Sequence, residues 1–204
     1  MFCRGGFHIR PDYGNNFVNR ADMDRADMES APTDAQRIYN GSSILMEHRI
    51  EKLRKHIDEL IQDKQRGSLW FIDRHMLAVS SFAAMLAVKR KLNAELATMI
   101  GLLHDIHMLL TDDRQDHAIR GSLKAREILS ALNIVSDEEL ELICTAIQHH
   151  STKNEIHDVY SELIKDADVL SHHFFNTSLP IVEGEEIRLE KLFDEIGLRP
   201  QYAS

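Results

Sequence analysis

Residues 94–108 read AELATMIGLLHDIHM, and this stretch decides the fold. Asn93 stands where a helix N-cap is wanted, because its side-chain oxygen can accept from the first free backbone N–H groups. The body, Ala94–His104, is an apolar helix with no proline, and it closes on His104-Asp105. An imidazole followed directly by a carboxylate can present a nitrogen and an oxygen to one cation from a helix end. The same dipeptide recurs at His157-Asp158, but in a polar segment, where Asp158 is more simply an N-cap.

Working outward, a helix is expected from Ser42 or Ser43 to about Gln65, with Ile44, Leu45, His48, Leu53, Ile57, Leu60 and Ile61 on one stripe. Gly67-Ser68 breaks it. The next helix, about Leu69–Lys91, is apolar nearly all round and belongs at the centre of a bundle. After Ala94–His104 comes a polar break at Thr111-Asp112-Asp113-Arg114, then a helix over about Asp116–Leu132. Ser136 with Glu139 three positions later is a capping box for a helix ending at His149 or His150. The polar segment Ser151–His157 leads to a helix over Asp158–Phe175. Beyond Pro180 a short helix near Glu185–Ile196 is stopped by Gly197. The expected fold is an all-α single-domain bundle of six to seven helices. Residues 1–40 form a flexible N-terminal extension, 41–180 the bundle, and 181–204 a C-terminal helix packing on it.

Composition agrees. In 204 residues, 43% are hydrophobic and only 6% aromatic, and helix formers dominate. The formal net charge of −9 disfavours stable binding to nucleic-acid backbones or anionic membranes. It leaves phosphate substrates open, since a bound metal is often the largest charge in its site. Two distant cysteines, Cys3 and Cys144, suggest no disulfide framework and fit a reducing cytoplasm. No run of apolar residues is expected to reach membrane-spanning length.

Twelve histidines are many for this length, and their positions are informative. His75 shares a helix face with Val79, Phe82 and Leu86. His117 shares one with Gly121 and Ala125, small residues that let another backbone approach. His150 falls on the buried stripe of Ile143 and Ile147, and His149 on that of Leu142 and Ala146. Asp168 sits in LIKDADVL (163–170), where a carboxylate needs a partner; Lys165 or a metal could supply it. Taken singly, each could be a core or helix-end residue. Together they are nitrogen and oxygen donors without thiolate, which suits Mn, Fe, Co, Ni, Zn or Mg.

The ordered set resembles the HD superfamily of metal-dependent phosphohydrolases. The matching text is RHMLAVSSFAAMLA (74–87), IGLLHDI (100–106), DHAIRGSLKAREIL (116–129), AIQHH (146–150) and LIKDADVL (163–170). The resemblance implies a divalent metal held by His75, His104, Asp105 and Asp168. It also makes a second ion at His117, His149 and His150 plausible, with Asp105 bridging. Asp105 and His104 are then the catalytic pair. The expected substrate is a phosphate ester or anhydride of a nucleotide or other small phosphorylated metabolite, with Arg74, His107 or Lys124 near its phosphate. A homodimer is compatible with the family. Many members carry Lys or Glu three residues after the Asp of the pair, where this chain has Met108. That departure gives the alternative, a non-catalytic nucleotide-binding module using the same pocket. No GYP-type motif follows His150, and no Arg-rich pocket of a guanosine-tetraphosphate hydrolase is evident.

Overall fold

The computed structural model describes residues 49–62 and 69–198. The expected N-terminal extension, the helix start at Ser42 or Ser43 and its end at Gln65 lie outside them. Helix α1 covers residues 49–61. It is followed by α2 (Leu69–Lys89), α3 (Ala94–Leu103), α4 (Ile106–Thr111), α5 (His117–Leu132), α6 (Asp137–His149), α7 (Val159–Phe175) and α8 (Glu186–Ile196). No strand occurs among the described residues, so the fold is all-α, as the periodicity requires.

Local chemistry sets the boundaries. Asn93 accepts from the backbone N–H groups of Glu95 and Leu96, opening α3. Ser136 and Glu139 form the reciprocal capping box of α6. Asp158 caps α7 through Tyr160 and Ser161, which accounts for the second His-Asp pair without any ligand role. Gly197 ends α8 with φ of 74°, a left-handed conformation that glycine adopts without a Cβ penalty.

Two expectations about the helices need correction. The helix buried on nearly every side is α3, not α2: Ala97, Met99, Ile100 and Leu103 are fully enclosed. Helix α2 buries Val79, Ala83, Leu86 and Ala87 against α3 and α7, yet leaves Phe71, Leu77, Met85 and Val88 exposed. By length and composition alone its Phe71–Lys89 stretch is apolar enough to cross a membrane, a test that a core helix passes equally; Asp73, Arg74 and His75 interrupt its apolar run. Helix α4 is additional. Ile106 and Leu109, three apart and both fully buried, draw the backbone into one more turn before the polar break.

The contact between α2 and α3 is close because Gly101 has no side chain. A Cβ there would lie 2.4 Å from the Ser80 Cα. Gly121 plays the same part between α5 and the α3–α4 junction, where a Cβ would meet the His104 carbonyl oxygen at 3.0 Å. These two approaches bring α2, α3 and α5 together around residues 104 and 105.

Helix α8 is tied down by charge. Arg90 and Arg188 both bind Asp166; Arg90 also binds Glu195, and Arg188 binds Glu162. Leu189, Leu192 and Phe193 of α8 join the core.

Candidate metal centre

The His104-Asp105 pair lies at the joint between α3 and α4. His104 caps α3 with helical dihedrals, and Asp105 follows at φ −109°, ψ 19°, outside the helical region. That break swings the carboxylate away from the axis of α3 and into a space faced by four other elements: α2, α5, the end of α6, and α7.

Both carboxylate oxygens of Asp105 are used. Oδ2 lies 3.4 Å from His104 Nε2 and 3.9 Å from His75 Nε2. Oδ1 lies 3.5 Å from His150 Nε2 and 3.7 Å from His117 Nε2. One carboxylate therefore divides the histidines into two pairs. His75 Nε2 is also 3.3 Å from His104 Nε2 and 3.0 Å from Asp168 Oδ1. Donor atoms of His75, His104 and Asp105 lie within 4.8 Å of one another, as do those of Asp105, His117 and His150, and those of His75, Asp168 and His172.

Each ring is turned the same way. His104 Nδ1 donates to the Gly101 carbonyl at 2.9 Å, His150 Nδ1 to that of Ile147 at 2.7 Å, and His117 Nδ1 to that of Arg114 at 3.2 Å. A carbonyl only accepts, so Nδ1 carries the proton and Nε2 is left to face the cluster. His75 Nδ1 meets the Ser171 hydroxyl at 3.1 Å. Such outer bonds are how proteins fix the tautomer and aim of metal-ligating imidazoles.

The donor set fits a divalent cation. Asp105 Oδ1 and Asp168 Oδ1 are buried and have no aligned hydrogen-bond donor among the described residues. Two imidazole nitrogens facing each other at 3.3 Å, with carboxylate oxygens beside them, can share either a proton or a metal cation. The electrostatics say the same. Burial opposes protonation of His104, but Asp105 and Asp168 outweigh it and push the imidazole up to about 9. Burial likewise works against ionised Asp105 and Asp168; His104 and His150 hold the first well below the usual carboxylate range, and His75 and Lys153 hold the second there. The pocket is an anionic hole lined with nitrogen donors.

Of the residues singled out from sequence, the structure gathers His75, His104, Asp105, Asp168, His117 and His150. His149 stands apart. Its ring stacks on His157 with centroids 3.9 Å apart, and its Nδ1 faces the Ser161 hydroxyl at 3.4 Å. His107 faces Thr111 one turn along α4, and Lys124 is bound by both oxygens of Glu127. Arg74 is exposed beside His75 on α2. Met108 is half-buried and packs against the hydrophobic core.

Lys165 is not the partner of Asp168. It is fully buried, and its ammonium donates to the Glu155 carbonyl, His157 and Glu162. Helical side chains lean toward the N-terminus, which carries Lys165 back to Glu162 and away from Asp168. The partner is Lys153 in the α6–α7 connection, at 2.7 Å from Asp168 Oδ2. His172 was not anticipated either. It lies one turn beyond Asp168 on α7, and this i,i+4 spacing was the available signal.

Comparison with known proteins agrees with this geometry. The HD domain family model matches residues 72–172. Two proteins named ribonuclease Y are similar over 98 residues: that of Chlorobium luteolum at 32% identity and that of Chlorobium phaeovibrioides at 34%. In each case the aligned stretch covers 48% of this chain and 17% of the relative. No solved structure matches. The matched region begins beside His75 and ends at His172, enclosing every residue of the cluster, and through it the chain belongs to the HD-domain superfamily.

Proposed function

We propose that this protein is a metal-dependent phosphohydrolase acting on a phosphate ester or anhydride of a nucleotide or other small phosphorylated metabolite. The observation that carries this reading is Asp105, whose two oxygens face two separate pairs of imidazoles. That is the arrangement of a carboxylate shared between two cation positions, with His75, His104 and Asp168 on one side and His117 and His150 on the other. A divalent cation held there would supply Lewis acidity and would lower the pKa of a bound water toward neutrality.

The chain's own residues do the rest. Gly101, Ile147 and Arg114 fix three imidazoles through their carbonyls, so the donors are set before substrate arrives. Preset donors and dipoles spare reorganisation during reaction. Asp105 orients the attacking water or accepts its proton. His117 and His172 are the most exposed members, with 27% and 33% of their side chains open, and substrate approaches between them. Arg74, exposed and next to His75 in the sequence of α2, is the candidate for contact with an outer phosphate oxygen. The relatives' name, ribonuclease Y, supports including short nucleic-acid phosphodiesters among the candidate substrates.

Met108, standing where many members of the superfamily carry Lys or Glu, favours one second reading: a nucleotide-binding module without turnover. A single experiment separates the two. Metal content is measured on purified protein, which is then screened against nucleotides, short oligonucleotides and generic phosphodiesters with Mn, Fe, Co, Ni, Zn or Mg. Turnover in at least one metal, lost on chelation, is the expected result. Binding without turnover in every metal supports the module, and undiminished turnover by stripped protein refutes the hydrolase reading.

A further inference from the structure

The family match stops at residue 172, yet His172 is held by a residue from beyond it. Glu185, at the N-terminal edge of α8, is buried, with 4% of its surface exposed. Its carboxylate accepts from His172 Nδ1, which lies 3.1 Å from each oxygen, and from Lys153 Nζ at 2.8 Å. Both of those groups also meet Asp168: Lys153 Nζ at Oδ2, 2.7 Å away, and His172 Nε2 at Oδ1, 3.4 Å away. Asp168, Lys153, Glu185 and His172 thus close a ring.

Three features give the ring a purpose. A carboxylate only accepts, so Glu185 fixes the His172 proton on Nδ1 and turns Nε2 toward the cluster. The His172 ring stacks on that of His75, with centroids 5.1 Å apart and planes 8° from parallel. Asp168 Oδ1, against which both Nε2 atoms abut, is buried without an aligned donor, so His172 is not simply hydrogen-bonded to it. Lys153 meanwhile occupies Oδ2. We propose that His172, oriented by Glu185, is a further ligand of the metal centre beside His75 and Asp168, and that Lys153 restricts Asp168 to ligation through Oδ1. This rests on the metal-centre reading above. The connection before α7 and the start of α8 are then working parts of the site.

The test uses cobalt(II), whose visible absorption reports the number and kind of its ligands, on the full chain and on His172→Gln, Glu185→Gln and His149→Gln. The wild-type protein binds cobalt and shows a ligand-field spectrum. His172→Gln changes that spectrum and weakens binding. Glu185→Gln keeps the spectrum while affinity falls ~10–100-fold, the usual cost of losing an outer partner. His149→Gln changes neither. Circular dichroism establishes that each variant is folded, and Glu185→Gln carries the test if His172→Gln is not. A wild-type spectrum retained in His172→Gln, or full affinity in Glu185→Gln, overturns the proposal and leaves the metal centre standing. Failure of the wild-type protein to bind cobalt overturns both.

Discussion

Asp166 and Asp168 sit two residues apart on α7 and are similarly buried, with 7% and 4% of their surfaces exposed. Their surroundings are opposite. Asp166 has a guanidinium for each oxygen, Arg90 on Oδ2 and Arg188 on Oδ1. Asp168 has an ammonium on one oxygen and imidazole nitrogens without aligned donors around the other. A buried carboxylate whose charge is answered on both sides anchors one helix to others. One left half-answered among nitrogen donors is held ready for something not supplied by the chain. The contrast between structural and functional charge lies within one turn of helix.

The largest effect is expected where the two halves of the site share a group. Asp105→Ala removes the carboxylate common to both histidine pairs. Metal content after gel filtration then falls to background and turnover goes with it, a loss beyond the ~10–100-fold typical of outer partners. Normal metal content in this variant would remove the shared carboxylate from the account.

The two α7 aspartates sharpen the contrast. In wild-type protein, metal at one hundred times its dissociation constant adds about 2.7 kcal/mol to unfolding free energy. In Asp168→Asn, a ~100-fold weaker affinity cuts that gain at the same metal concentration to about 0.4 kcal/mol. Asp166→Asn does the reverse. It removes one of two carboxylate partners from each arginine, and because Arg90 keeps Glu195, Arg188 keeps Glu162 and their side chains stay 24% and 19% exposed, the loss falls below the ~3 kcal/mol of breaking a fully buried pair. Metal affinity stays unchanged. Denaturant titration with and without metal reads both, and equal behaviour of the two variants would erase the distinction.

A smaller contrast separates His149 from His150. His150→Gln weakens metal binding at the half of the site it shares with His117, while His149→Gln leaves it unchanged in a calorimetric titration. A comparable loss in both would return His149 to the ligand set.

Much of this was legible in the residues. Apolar periodicity and the caps at Asn93, Ser136 and Asp158 gave the helices, because those signals are local. His104-Asp105 stood out because an apolar helix carries it inward. The helix α4 was hidden, since the polar run after Thr111 drew attention from Ile106 and Leu109. Periodicity placed both His149 and His150 on faces with apolar neighbours, and only tertiary packing shows which faces the carboxylates. Lys153 and Glu185 were beyond reach for a similar reason. They are 15 and 17 residues from Asp168, in a connection and at a helix edge, and no local pattern says where such side chains return. Lys165 misled because proximity along a helix does not fix which way a long side chain leans.

The most direct test is a crystal soaked in manganese(II), with anomalous diffraction locating the ion. The account predicts an anomalous peak within coordinating reach of His75, His104, Asp105 and Asp168, and, if a second ion binds, another beside His117 and His150. No peak there, or manganese bound only at surface carboxylates, would contradict it.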